Sequence, residues 1–189
     1  ESVVGGWCLR PNRRVRILRE MARTPLEQES AGEALFRLAD FTNCTGDAYF
    51  RGLVRGLAEV LSVRWVYLSK LHPCKPRHVQ VVAGWAGSGP AECIEYDLLH
   101  TPCAEVLSGG ACFYATGVAG LFPWDRMLAE MGVDAYAGAP LRGADGQAQG
   151  LLTIMHDRPL DVSRQDPCTI LSLVAGRAAA ELERSRVEA

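Results

Sequence analysis

No apolar run in this 189-residue chain approaches the roughly 18–20 residues that cross a bilayer, and its first residues do not read as a signal peptide. Charge of one sign is scarce too. Twenty Lys and Arg against 22 Asp and Glu leave a formal net charge of −2, with no chain-wide basic field to draw nucleic acid or acidic lipid. Seven cysteines are present, an odd count, yet no two form a C-x-x-C pair, and a chain of this size needs no covalent staples. Reduced thiols in a cytoplasmic protein are the expectation. Internal repeats and low-complexity tracts are missing as well. Membrane protein, disulfide scaffold and disordered tail are thereby set aside. What is there is a globular composition, 48% hydrophobic and 22% charged. It is enough for one domain of about 150 residues with some helix to spare.

The first residues differ from the rest. Arg10, Arg13, Arg14, Arg16, Arg19 and Arg23 face only Glu1 and Glu20, while Val15, Leu18 and Ala22, with Ile17 and Met21 beside them, fit a short amphipathic helix. This strip reads as a solvated or partner-facing helix. Residues 1–30 are taken as an extension, 31–184 as the domain, and 185–189 as the start of a linker helix. Thr24, Pro25 and Glu27 form a capping box for a helix carried to about Thr42 by Leu26, Ala34, Leu35, Leu38 and Ala39. Asp47 is expected to cap the next, where Phe50, Leu53, Val54, Leu57, Ala58 and Leu61 keep the helical period.

The period then changes to two. Val63, Trp65 and Tyr67 alternate along one strand, and Val79, Val81, Ala83 and Trp85 along another, predicting a hairpin closed by His72 to Arg77. Cys93 to Asp97 reads as a short strand, Thr101-Pro102 opens a short helix, Ala111 to Ala115 is a strand, and Pro123 begins a helix ending near Met131. Ala135 to Leu141 and Gly150 to His156 flank Ala144-Asp145-Gly146, a strong hairpin signal. Ser163 starts the longest helix, whose core stripe is Ile170, Leu171, Leu173, Val174, Ala178 and Leu182. The pattern predicts an α+β layer architecture with an antiparallel sheet.

Chemistry is harder to place. His72, Cys74 and His78 offer ligand types that zinc accepts, but Lys75 and Arg77 add positive charge and no fourth ligand is evident, so the segment reads as a hairpin tip and no metal site is expected. Gly84, Gly87 and Gly89 precede a strand rather than a helix and read as turn glycines. Cys103 falls in the first turn of a helix with Thr101 as N-cap, where the macrodipole favours thiolate, but it reads first as a small buried hydrophobe, with a redox-sensing or adduct-forming thiol as the alternative. No G-x-S-x-G, H-E-x-x-H or Cys–His–Asn set occurs, so no catalytic residue is assigned.

The run from Tyr96 through Asp97, His100 and Cys103 to Leu107 resembles the central stretch of GAF domains of bacterial signal-transduction proteins. Leu121-Phe122-Pro123-Trp124-Asp125-Arg126-Met127-Leu128, the run from Met131 to Leu141, the Gly146 to Thr153 hairpin and the helix Ala175 to Arg184 are similar to the same family in the same order. The resemblance implies a central antiparallel sheet with helices on both faces and a small-molecule pocket between sheet and loops. It implies a sensory or dimerising module that feeds a kinase, cyclase, phosphodiesterase or transcription activator. The Asn-Lys-Phe-Asp-Glu pattern of cyclic-nucleotide-binding members is missing, and Cys103 is followed by Ala104 rather than the histidine usual for bilin attachment. The ligand or cofactor therefore stays unnamed. Relatives that reduce free methionine sulfoxide give an enzyme alternative through Cys103, though no second thiol stands near Met131; a ligand-free dimerisation scaffold is the other. The pocket is expected between Tyr96 and Tyr136, where regular periodicity fails longest and aromatic and polar groups interleave. Its candidate ligand-binding residues are Tyr96, Cys103, Tyr114, Trp124, Asp125 and Tyr136, with Asp125 either a charged anchor or merely a helix cap. A homodimer through the terminal helices is the expected assembly, with no nucleic-acid or membrane partner.

Overall fold

The computed structural model describes residues 36, 38–39, 43–160 and 166–187. The Arg-rich strip and the Thr24 capping box lie outside them, as does Ser163. Helix α1 (Gly46–Leu61) buries Tyr49, Phe50, Leu53, Val54, Leu57 and Ala58 along one face, as its period predicts. Thr45, not Asp47, is its N-cap residue, and Asp47 lies in the first turn. The opening amide is satisfied from afar: Gly46 N–H donates to the carboxylate of Glu181. Ser62 closes the helix in the left-handed region at φ 53°.

The strands are β1 (Trp65–Leu71), β2 (His78–Ala86), β3 (Gly89–Pro90), β4 (Glu95–Asp97), β5 (Cys112–Tyr114), β6 (Ala135–Arg142) and β7 (Ala148–His156). They form one sheet in the order β3-β2-β1-β7-β6-β5, with β4 also paired to β2, and every pairing is antiparallel. Between β5 and β6 come two short helices, α3 (Val118–Leu121) and α4 (Arg126–Met131); α2 (Pro102–Gly109) precedes β5, and α5 (Pro167–Val187) follows β7.

Strand alternation splits the interior in two. Val66, Leu68, Ala137, Ala139, Leu152 and Ile154 face α1 and α5 and merge with their buried stripes. Trp65, Tyr136, Leu151 and Met155 face the other way, against α2 and the α3–α4 segment. The predicted four-residue face of β2 is corrected here. Leu68 pairs with Ala83 and Ser69 with Val81, which leaves Val82 as a bulge residue. Val79 accordingly joins the α2 side and Val81 lines its cavity, while Ala83 and Trp85 pack with α1. A second correction concerns α5: Ile170, Leu171, Ala178 and Leu182 are buried as predicted, but Leu173 is 54% exposed.

Candidate functional site

Between the sheet and the α2, α3–α4 layer lies an enclosed cavity of about 20 Å³. Five strands contribute to its walls, through Tyr67 on β1, Val81 on β2, Tyr96 on β4, Tyr136 on β6, and Thr153 and Met155 on β7. Pro102 and Cys103 from α2, and Asp125, Met127 and Leu128 around the start of α4, close it. A volume of this order holds about one water, whereas ligand pockets run to roughly 300–1,000 Å³. A wider hollow of about 310 Å³ beside the start of α5 is open to solvent and lined by Asp166, Cys168, Thr169, Ser172 and Leu173.

Three polar side chains meet inside. Tyr136 donates its hydroxyl hydrogen to Cys103 Sγ at 3.2 Å, and Tyr96 Oη stands 3.7 Å from the same sulfur. Both tyrosines are held well above the ordinary phenol range, chiefly by burial. Burial likewise pushes the Cys103 thiol up to about 11, against the hydrogen bonds from Tyr136 and Tyr96 that favour thiolate. Cys103 is thus the small buried hydrophobe of the two readings, because desolvation outweighs both those bonds and the helix start. Gly84 belongs to the same architecture, because an added Cβ there would sit 2.7 Å from the Tyr67 ring.

Asp125 does cap α4, accepting from Leu128 N at 3.3 Å. Its carboxyl group also lines the cavity, and burial raises its pKa more than the backbone amides of Leu128 and Met127 lower it. Cap and cavity wall are one residue.

Four of the six sequence-derived positions, Tyr96, Cys103, Asp125 and Tyr136, therefore stand around the cavity. Two do not. Trp124 is 77% exposed, and Tyr114 directs its hydroxyl to the Glu105 carboxylate. The Tyr114 ring packs edge-on against Phe122 at 5.5 Å and stands 6.3 Å from the Tyr136 ring, behind the lining rather than in it. Sequence reasoning missed Tyr67, Val81, Thr153 and Met155. Alternation gave Tyr67 and Met155 a face, but pairing β1 with β7 requires contacts 86 residues apart.

The α3–α4 segment is tied at its neck. Asp134 accepts from Thr116 Oγ1 at 2.9 Å and from Gly117 N at 2.8 Å, while its carbonyl accepts from Val118 N at 3.0 Å. Residues 117–134 form a lobe closed on one carboxylate. The supposed metal cluster is a hairpin tip: His72 Nδ1 accepts the amides of Cys74 and Lys75 at 3.1 and 3.0 Å.

A sheet flanked by a two-helix layer, with a small cavity under short helices on the opposite face, defines an α+β class of fold built on one antiparallel sheet. The chain belongs to the GAF domain family, whose model matches residues 46–182. Among solved structures it is similar to the GAF domain of Acinetobacter phosphoenolpyruvate-protein phosphotransferase, at 10% identity over 87% of this chain and 98% of that one, with a TM-score of 0.62. The A. aeolicus nlh2 GAF domain in an inactive state is similar at 9% identity, over 84% of this chain and 98% of that one, with a TM-score of 0.61. The chromophore-binding domain of the R. palustris bacteriophytochrome RpBphP3 is similar at 12% identity and a TM-score of 0.62, over 86% of this chain and 63% of that one. At such identities the likeness is one of fold. A comparison with curated proteins finds no match. GAF domains are regulatory modules of signalling proteins, and no helix among the described residues is long and apolar enough to cross a membrane.

Proposed function

We propose that this GAF domain is a regulatory module of a bacterial signalling protein that binds a small molecule in the Cys103–Tyr136 cavity. The observation that carries the reading is the convergence there of Tyr96, Cys103, Asp125, Tyr136 and Thr153 from five separate parts of the chain inside a largely apolar wall. A ligand enters by displacing the 117–134 lobe, since the closed cavity is an order of magnitude too small. Residues 31–184 make up the sensory unit, and 185–189 lead toward an output domain such as a kinase, cyclase, phosphodiesterase or transcription activator. The module has no turnover of its own. Burial holds the Cys103 and Cys112 thiols protonated, which disarms them as nucleophiles. Cys74, Cys93, Cys103, Cys112 and Cys168 form no disulfide among the described residues, which suits a reducing cytoplasm.

The test is a thermal-shift screen of small metabolites on wild type, Cys103→Ala and Tyr136→Phe. A compound that stabilises wild type and loses its effect in both variants is the expected result. A compound that stabilises all three equally, or that maps to the His72–His78 hairpin, places the site elsewhere. Association as a homodimer through the terminal helices is part of the proposal. Leu173 and Val187 expose apolar surface along α5 among the described residues. Light scattering at tens of micromolar should give a dimer that Leu173→Asp weakens, and a wild-type monomer at that concentration overturns the assembly.

A further inference from the structure

We infer that the Cys103–Tyr136 cavity selects a small organic cation, an amine or quaternary ammonium on an apolar body, and rejects anions. The inference rests on reading that cavity as the ligand site and adds the sign of the ligand's charge. Among the described residues that line it there is no Lys, Arg or His. Among the described lining residues, the single group that carries charge near neutrality is Asp125, only 7% exposed. Backbone amides of Leu128 and Met127 hold that carboxylate, and none of the ion pairs among the described residues includes it.

An anion entering this space would shed its water, meet no cationic side chain, and face a buried negative charge. Desolvation of an ion is repaid by an opposite charge or by donors aimed at it; the Leu128 and Met127 amides are already taken by Asp125, and an anion beside that carboxylate meets a like charge. A cation meets the reverse situation. Asp125 supplies its counter-charge, and the oxygens of Tyr96, Tyr136 and Thr153 supply acceptors. Tyr67, Tyr96 and Tyr136 add aromatic surface, which attracts cations and suits an apolar body. Asp125 sits on the 117–134 lobe, so pairing with it would also hold that lobe against the occupied site.

Three probes of matched size separate the terms: phenethylammonium, neutral 2-phenylethanol and anionic phenylacetate. The readout is the methyl NMR signals of Met127 and Met155, both in the cavity wall. Asp125→Asn removes the charge while keeping a side chain that caps helices equally well. Phenethylammonium should shift both methyls, and Asp125→Asn should weaken it about tenfold or more, the scale of a charged hydrogen bond, leaving 2-phenylethanol unchanged. Phenylacetate binding as tightly as phenethylammonium, or a cation indifferent to Asp125→Asn, overturns the charge inference while leaving the cavity a ligand site. Three probes that leave both methyls unmoved at millimolar concentration overturn the inference and count against the site itself.

Discussion

Gly138 leaves room for two neighbours that one methyl group would displace. A Cβ built there falls 2.6 Å from Val106 Cγ2 and 2.8 Å from Tyr136 Oη, and Val106 is fully buried with nowhere to retreat. Replacing glycine by alanine ordinarily gains about 0.4–1 kcal/mol from the unfolded chain. Overpacking costs about 1–3 kcal/mol, so the clash wins, and Gly138→Ala should lower the urea midpoint. The buried acids give a pH signature. Cys103 is pushed up to about 11, and Cys168 and Tyr49 to about 12, in each case by burial above all. The unfolded chain releases these protons first, so their contribution is intact below about pH 9 and is lost as pH rises through the folded values. The slope is up to about 1.4 kcal/mol per pH unit for each group. Urea unfolding at pH 7.5 and pH 10 should show the lower midpoint at pH 10; equal midpoints would count against buried, protonated groups.

At the scale of elements, the lobe depends on one side chain. Asp134→Ala removes the acceptors for Thr116 and Gly117, two hydrogen bonds worth about 1 kcal/mol each. Hydrogen exchange should then quicken across 116–134 while α1 and α5 keep their protection, and a uniform loss of protection would contradict a locally clasped lobe. The helix α1 and both long hairpins were legible because each carries a local pattern: the i, i+3, i+4 spacing from Phe50 to Leu57, and Asp145-Gly146 between apolar runs. Asp125 was legible as a cap for the same reason. The bulge at Val82 was not, because Val79 to Trp85 alternate without a break and only pairing to β1 shows which residue is extra. Trp124 misled because its type suggests burial, whereas it stands exposed on the residue before the Asp125 cap of the six-residue helix α4. The burial that holds the Cys103 proton comes from strands distant in sequence, so composition could not show it.

The whole molecule is two hairpins sharing a seam. β1 is the inner strand of the first, β7 that of the second, and their pairing from Trp65–Met155 to Lys70–Gly150 makes one sheet of two. The seam serves both layers at once, since Val66 and Ile154 face the long helices while Tyr67 and Thr153 face the cavity side. Gly150 is needed at its end, where a Cβ would collide with the carbonyl of Ser69. Gly150→Val should therefore part the hairpins, seen as loss of cooperative thermal unfolding with each turn still formed. There is a consequence for how the molecule is made. Tyr67 leaves the ribosome 86 residues before Thr153. At about 5–20 residues per second, the inner edge of β1 waits about 4–17 seconds for its partner. During that interval Val66 and Leu68 stand on an unpaired edge, the kind of strand that recruits a neighbour's chain instead. Slow translation between β2 and β7 should then cost yield through aggregation of nascent chains, while finished molecules stay as stable as before.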